Sequence, residues 1–229
     1  MINSKNCSEL GVLAMIMAAA STLLFFIKVS EEVVEGETDR IDQQILTWLR
    51  SDSDMHSVFA ANPSWIDDIG RDITALGSPI ILGLFVLIAA FYLLLAGRWH
   101  LSLLMLLATS SGLLASVFLK QLFDRPRPAP SIHGLYVYSS SFPSGHAMLS
   151  ALVYLTLGAL IARLAPTSAL KFYVMLIAFG LTGLVGISRV YLGVHWPTDV
   201  LAGWAAGAAW ALGCGAIART IHLNNGVKQ

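Results

Sequence analysis

The chain has 229 residues, of which 56% are hydrophobic and only 12% charged, and its mean hydropathy is +0.70. These values exclude an ordinary soluble domain and indicate an integral membrane protein. Fourteen basic residues balance fourteen acidic ones, so bulk charge gives no reason to expect nucleic acid as a partner. Two cysteines, Cys7 and Cys214, are too far apart and too isolated from other ligands to suggest a disulfide or a metal site.

In chain order, the first apolar run is Leu10 to Val29, about twenty residues and long enough to cross roughly 30 Å of hydrocarbon. A cleaved leader would carry a shorter apolar region followed by small residues. Phe25, Phe26, Ile27 and Lys28 stand there instead, so an uncleaved first span is expected. Residues 30–77 hold eleven of the fourteen acids and form an extramembrane segment, read as extracytoplasmic and helical. Within it Ile41, Ile45, Trp48 and Leu49 recur at helical spacing, as do Ile66, Ile69, Ile73 and Leu76, with Ser64 and Asp67 spaced as a capping box. The tryptophans suggest helices lying at the membrane interface, and the acids read as a solvated polar face because no metal-ligand spacing appears.

Further spans are expected at Ser78 to Ala96, Leu101 to Leu119, Ser144 to Leu164, Lys171 to Ile187 and Pro197 to Ile217. The predicted fold is therefore all-α: one polytopic domain over residues 1–229, with six transmembrane helices. Gly180, Gly183, Gly186, Gly203 and Gly207 are read as sites of close helix packing. Six spans put both termini on one side. The short loops and tails of that side carry Lys5, Arg98, Arg163, Lys171, Arg219 and Lys228 at higher density than the longer segments opposite, which places the termini in the cytoplasm.

The same parity brings the loop from Lys120 to Pro143 onto one face with the stretch Ser188 to Asp199. That face collects Lys120, Arg127, Ser144, His146, Arg189, His195 and Asp199. Two arginines and a lysine at the ends of membrane helices share a natural purpose in cradling a tetrahedral anion, and phosphate is the obvious one. Ser144 is a favoured N-cap, and Gly145 behind it lets a ligand approach the free amides of the helix start. Pro126, Pro128, Pro130 and Pro143 stiffen the loop. Asp199, four residues after His195, nominates that histidine as a nucleophile, leaving His146 as acid toward the leaving group and later as base for water. Lys120, Arg127 and Arg189 would stabilise charge on the phosphoryl oxygens. Asp124 and Arg125 read as loop-pairing residues, Tyr191 and Trp196 as packing around the site. His56, His100, His133 and His222 read as structural.

Lys120 with six residues before Arg127-Pro128, then Pro143-Ser144-Gly145-His146, then Ser188-Arg189 with five residues before His195 and three before Asp199, resembles the three-part signature of the type 2 phosphatidic acid phosphatase family. The resemblance covers residues 76–217 as a phosphatase core. It implies a six-helix membrane core, a phosphohistidine on His195, and no metal or other cofactor. It also implies a lipid phosphate or diphosphate as substrate, handled at the extracytoplasmic face. A bacterial inner membrane is the expected location, and no obligate protein partner is inferred. The compact chain is similar to the undecaprenyl diphosphate and phosphatidylglycerophosphate phosphatases of that family, and the polyprenyl diphosphate is the first expectation. Phosphatidylglycerophosphate, phosphatidate, or transfer of the phosphoryl group to an acceptor lipid are the enzymatic alternatives. A non-catalytic lipid carrier is the remaining class. The motifs also resemble vanadate-dependent haloperoxidases, against which six lipid-length spans argue.

Overall fold

The computed structural model describes residues 4–50, 65–128 and 140–226. Ser64 of the expected capping box, Pro130, His56 and His133 lie outside them, as do the side chains of Cys7 and His222. The described residues form eight helices and no strand: α1 (Ser4–Val34), α2 (Asp39–Arg50), α3 (Trp65–Ala75), α4 (Pro79–Leu95), α5 (Trp99–Leu122), α6 (Gly145–Leu164), α7 (Ser168–Tyr191) and α8 (Pro197–Gly226).

Five of these, α1 and α5 to α8, are long and apolar enough to cross a membrane, and α4 makes a sixth when joined to α3 across a 45° bend. Their ends follow local chemistry. Ser78 caps α4 by accepting the Ile81 N–H at 3.3 Å, with Pro79 following as the first helical residue. Thr167 caps α7 through the Leu170 N–H. Gly97 and Gly193, at φ 71° and 64°, supply the left-handed residues that turn the chain after α4 and α7.

The long helices alternate in direction. Phe26 near the end of α1 stacks on Phe142 just before α6, whereas a Cβ on Gly11 near its start would lie 2.9 Å from the Arg219 guanidinium near the end of α8. One end of the bundle therefore gathers the finish of α1, α5 and α7 and the start of α4, α6 and α8. The other gathers the start of α1 and the finish of α8.

The central α6 is the most enclosed span and α1 the least. Leu149, Val153 and Tyr154 of α6 meet Leu82, Val86, Met105, Ala178 and Val185 in the main core. On its other side α8 runs against the α6 backbone. A Cβ on Gly203 would stand 2.7 Å from the Ser144 carbonyl oxygen, and one on Gly207 would collide with the Met148 carbonyl. Close packing holds there and at Gly186, which faces Trp204. Gly180 and Gly183 differ from expectation: nothing lies within 4 Å of where their Cβ atoms would be, so they pack against no neighbour among the described residues.

The acidic segment also corrects the sequence reading. On α2 the residues Ile41, Ile45 and Trp48 point outward, and the face turned to the bundle holds Asp42 and Leu46. On α3 the outward residues are Trp65, Ile66 and Ile69, and the inward ones Asp67 and Gly70. The apolar stripes are thus free to meet an interface. Two of the acids expected to be solvated are buried and bonded: Asp67 accepts the Tyr191 hydroxyl at 3.2 Å, and Asp42 joins the site described next.

Candidate active site

At the end of the bundle where α4, α6 and α8 begin, the three motif segments converge. The link between them is covalently remote but geometrically tight: the Ser144 N–H donates to the Asp199 carbonyl oxygen at 2.9 Å, joining the first turns of α6 and α8. His195 lies in the short connection before α8 and is 1% exposed, and Asp199 in the first turn of α8 is fully buried. Their contact is Nδ1 to Oδ2 at 3.4 Å. With the proton on Nδ1 toward the carboxylate, Nε2 carries the lone pair.

Asp199 is held from several directions. Its Oδ2 accepts the Trp196 N–H at 2.9 Å and the Ser141 hydroxyl, and its Oδ1 accepts Nη1 of Arg125 at 2.7 Å. Ser141 Oγ also lies 3.4 Å from His195 Nδ1, so the hydroxyl sits between the two partners. On the opposite side of the ring, Nη1 of Arg127 stands 3.4 Å from Nε2 and donates to the Val194 carbonyl at 2.8 Å. Arg189, at the end of α7, donates through Nη1 to Thr74 of α3 at 3.0 Å. Lys120 closes α5 beside Gly145, where a Cβ would lie 3.4 Å from the lysine Cε, so glycine keeps the ammonium close to the start of α6. His146, Lys120, Arg127 and Arg189 all lie within electrostatic reach of one another, and His146 also of His195.

Of the four buried side-chain polar atoms that lack a partner among the described residues, two belong to this site: Ser144 Oγ and Arg189 Nε. Ser144 occupies the N-cap position of α6, but its hydroxyl makes no capping bond, contrary to the sequence expectation. A fully buried hydroxyl left unpaired is costly by about 1–3 kcal/mol. Its presence here beside a cluster of cations fits a site built to receive anionic oxygens.

Electrostatics agree. Burial pushes the His195 imidazole down to about 4, although its bond to Asp199 works the other way, so the ring is neutral at physiological pH. Burial likewise lowers Arg127, with Asp199 partly offsetting it. For Arg125 burial also pulls down, but Asp199 and Asp42 together outweigh it and hold the guanidinium more firmly charged.

The structure therefore unites all eight residues picked from the sequence: Lys120, Arg127, Ser144, Gly145, His146, Arg189, His195 and Asp199. Residues 99–222, carrying all three motifs, match the PAP2 superfamily. The chain belongs to this family.

Among PAP2 relatives, phosphatidylglycerophosphatase B of Bacillus subtilis is 42% identical over 147 residues, 62% of this chain and 70% of that one. An undecaprenyl-diphosphatase of Sulfolobus acidocaldarius is 43% identical over 68 residues, which span 30% of this chain and 29% of its own length. The crystal structure of a transmembrane PAP2-type phosphatidylglycerolphosphate phosphatase from Bacillus subtilis superposes with a TM-score of 0.77 at 30% identity, covering 89% of this chain and 96% of that one. The chain is thus a multi-pass membrane phosphatase of the PAP2 lipid phosphatase family.

Sequence reasoning missed Ser141, Thr74 and Asp42. Nothing marks Thr74 or Asp42 along the chain, since Thr74 meets Arg189 across 115 residues of sequence and Asp42 meets Arg125 and Thr198 across 83 and 156. Arg125, a loop-pairing residue by its place in the sequence, pairs with Asp199, Asp42 and Asp39. The ring of Trp196 lies over its guanidinium at 5.7 Å, and Trp196 Nε1 donates to the Pro126 carbonyl. Among the described residues no group of three or more His, Cys, Asp or Glu side chains is placed to hold a metal ion.

Proposed function

We propose that this protein removes a terminal phosphate from a membrane glycerophospholipid, phosphatidylglycerophosphate first, by metal-independent catalysis through His195. The observation that carries the reading is the placement of His195 Nε2: its ring is held from behind by Asp199, and the Arg127 guanidinium stands 3.4 Å in front of it. Nε2 attacks phosphorus, the N–P bond forms, and the P–O bond to the lipid breaks. His146 gives its proton to the departing lipid oxygen. Water then attacks the phosphohistidine with His146 taking its proton, the N–P bond breaks, and inorganic phosphate leaves. Lys120, Arg127, Arg189, the Ser144 hydroxyl and the amides behind Gly145 bind the phosphoryl oxygens throughout.

Phosphatidylglycerophosphate now stands ahead of polyprenyl diphosphate because a relative bearing the first name aligns with 62% of this chain and one bearing the second with 30%. Polyprenyl diphosphate is the second reading. Residues 76–217 form the phosphatase core in this proposal, and the acidic segment from residue 30 lies on the outer side of the membrane, with α3 at the interface where it bends into the α4 span. The density of basic residues at the far end of the bundle supports termini in the cytoplasm and a site facing outward from a bacterial inner membrane.

The test is phosphate release by the purified protein in detergent from phosphatidylglycerophosphate, phosphatidate, undecaprenyl diphosphate and a water-soluble phosphate ester, beside His195→Ala and His146→Ala. Preference for the glycerophospholipids with both variants inactive supports the proposal. Preference for the diphosphate selects the second reading. Consumption of lipid phosphate with little free phosphate released selects transfer to an acceptor lipid, and an active His195→Ala removes His195 as nucleophile.

A further inference from the structure

We infer that Asp42 and Arg125 are positioning residues for the His195–Asp199 pair, so that α2 of the acidic segment fixes, through one buried guanidinium, the carboxylate behind the site histidine. The inference rests on the nucleophile reading of His195 given above.

The geometry is a chain of charge-assisted bonds from α2 to the ring. Asp42 is fully buried although it belongs to a segment rich in exposed acids. Its Oδ1 accepts the Thr198 N–H at 3.0 Å, an amide of the first turn of α8 that has no partner within the helix. Its Oδ2 accepts the Thr198 hydroxyl at 2.5 Å and Nη2 of Arg125 at 2.7 Å. Arg125 then reaches Thr198 Oγ1 at 2.8 Å and Asp199 Oδ1 at 2.7 Å with Nη1. With Oδ1 fixed in this way, the second oxygen of Asp199 is turned toward Ser141, the Trp196 amide and His195. Thr198 and Asp199 are therefore gripped by a residue 156 positions away in sequence and by one 74 positions away.

The arrangement also apportions charge. One guanidinium is shared between two fully buried carboxylates, and Asp39 touches it from the exposed side at 3.3 Å. Removing either partner changes how much of the Arg125 charge Asp199 experiences, and so how strongly Asp199 supports the imidazole. The other charged groups around the pair are Arg127 beyond His195, Lys120 from α5, His146 from α6 and Arg189 from α7, all left in place by these changes.

The experiment is the dependence of kcat and KM on pH for phosphatidylglycerophosphate in mixed micelles, using the full chain and the variants Asp42→Asn, Arg125→Gln, Arg125→Lys and His195→Ala. In Asp42→Asn the whole charge of Arg125 falls on Asp199, which becomes a weaker support for the ring. The acid limb of log kcat moves to lower pH by about half a unit. At neutral pH kcat falls roughly tenfold while KM stays within about twofold. In Arg125→Gln the carboxylate loses its cation, the pair becomes more basic, and the limb moves to higher pH. Arg125→Lys keeps the charge and restores the position of the limb without restoring kcat. Opposite displacements are not produced by general loosening of the fold.

If Arg125→Gln does not fold, Asp42→Asn/Arg125→Gln removes one charge of each sign from the same pocket, and its limb is expected above that of the wild type. Limbs unmoved or moved in the same direction overturn the inference while an inactive His195→Ala leaves the nucleophile reading standing. An active His195→Ala overturns both.

Discussion

Arg127 Nη1 and His195 Nε2 face each other across 3.4 Å, with the same Nη1 tied to the Val194 carbonyl next in sequence to the histidine. A phosphorus atom bonded to Nε2 would carry its equatorial oxygens into the reach of this guanidinium. Replacing Arg127 by Ala is expected to lower kcat by roughly 100- to 1,000-fold, the scale seen when one oxyanion donor is removed. Arg127→Lys recovers only part, because a point charge does not reproduce the planar fork. Steady-state kinetics decide it: a change confined to KM means that Arg127 binds substrate and transition state alike.

Ser144 offers a second test because its hydroxyl is buried without a partner among the described residues. Ser144→Ala deletes an unsatisfied group, so the thermal midpoint in detergent is expected to hold or rise. Loss of a hydrogen bond to an anionic oxygen, about 1.5–3 kcal/mol, lowers kcat/KM by roughly 10- to 100-fold. A fall in stability with intact activity would assign Ser144 to the fold alone.

Acid should unfold the protein partly through His195. Its folded value, about 4, lies below the ordinary histidine value near 6.5, so between these the unfolded chain binds the proton and the folded chain does not. The contribution of the neutral ring is present above about pH 6.5 and is lost as pH falls toward 4, at about 1 kcal/mol per unit. Thermal midpoints measured from pH 7 to pH 4.5 are expected to drop, and His195→Gln to flatten the slope. An unchanged slope in that variant assigns the acid sensitivity to other groups.

Helix packing makes a prediction that needs no chemistry. Gly203→Ala puts a methyl 2.7 Å from the Ser144 carbonyl oxygen, in the same α6–α8 contact that carries the bond between Ser144 and Asp199. Overpacking of about 1–3 kcal/mol is expected, with kcat reduced alongside. Gly180→Ala meets nothing within 4 Å and is expected to hold or raise the midpoint. Equal effects of the two variants would contradict this account.

Metal independence is testable directly. Millimolar chelator is expected to leave the initial rate within about twofold of the untreated protein, since the proposed oxygen-binding charges are side chains. Abolition by chelator with recovery on added Mg²⁺ would replace the proposed mechanism with a metal-assisted one.

The amino-acid sequence by itself determined the six apolar runs, their parity, and the eight residues that meet at one end of the bundle. Periodicity and run length are local properties, and alternation of membrane helices then fixes which loops share a face. Lys120, His146 and His195 could therefore be placed together without coordinates. The sequence did not determine which face of α2 turned inward. Ile41, Ile45 and Trp48 carry the apolar stripe that a soluble helix would bury, yet beside a bilayer the outside is also apolar, so the polar residue can take the inner position. Only the tertiary structure brings Asp42 under α8 and makes Arg125 its bridge to Asp199. Only it shows that Ser144 leaves its cap unmade and that Gly203 touches α6 while Gly180 touches nothing. Each of these depends on a partner far along the chain, and a buried polar group is satisfied by whatever the fold places opposite it.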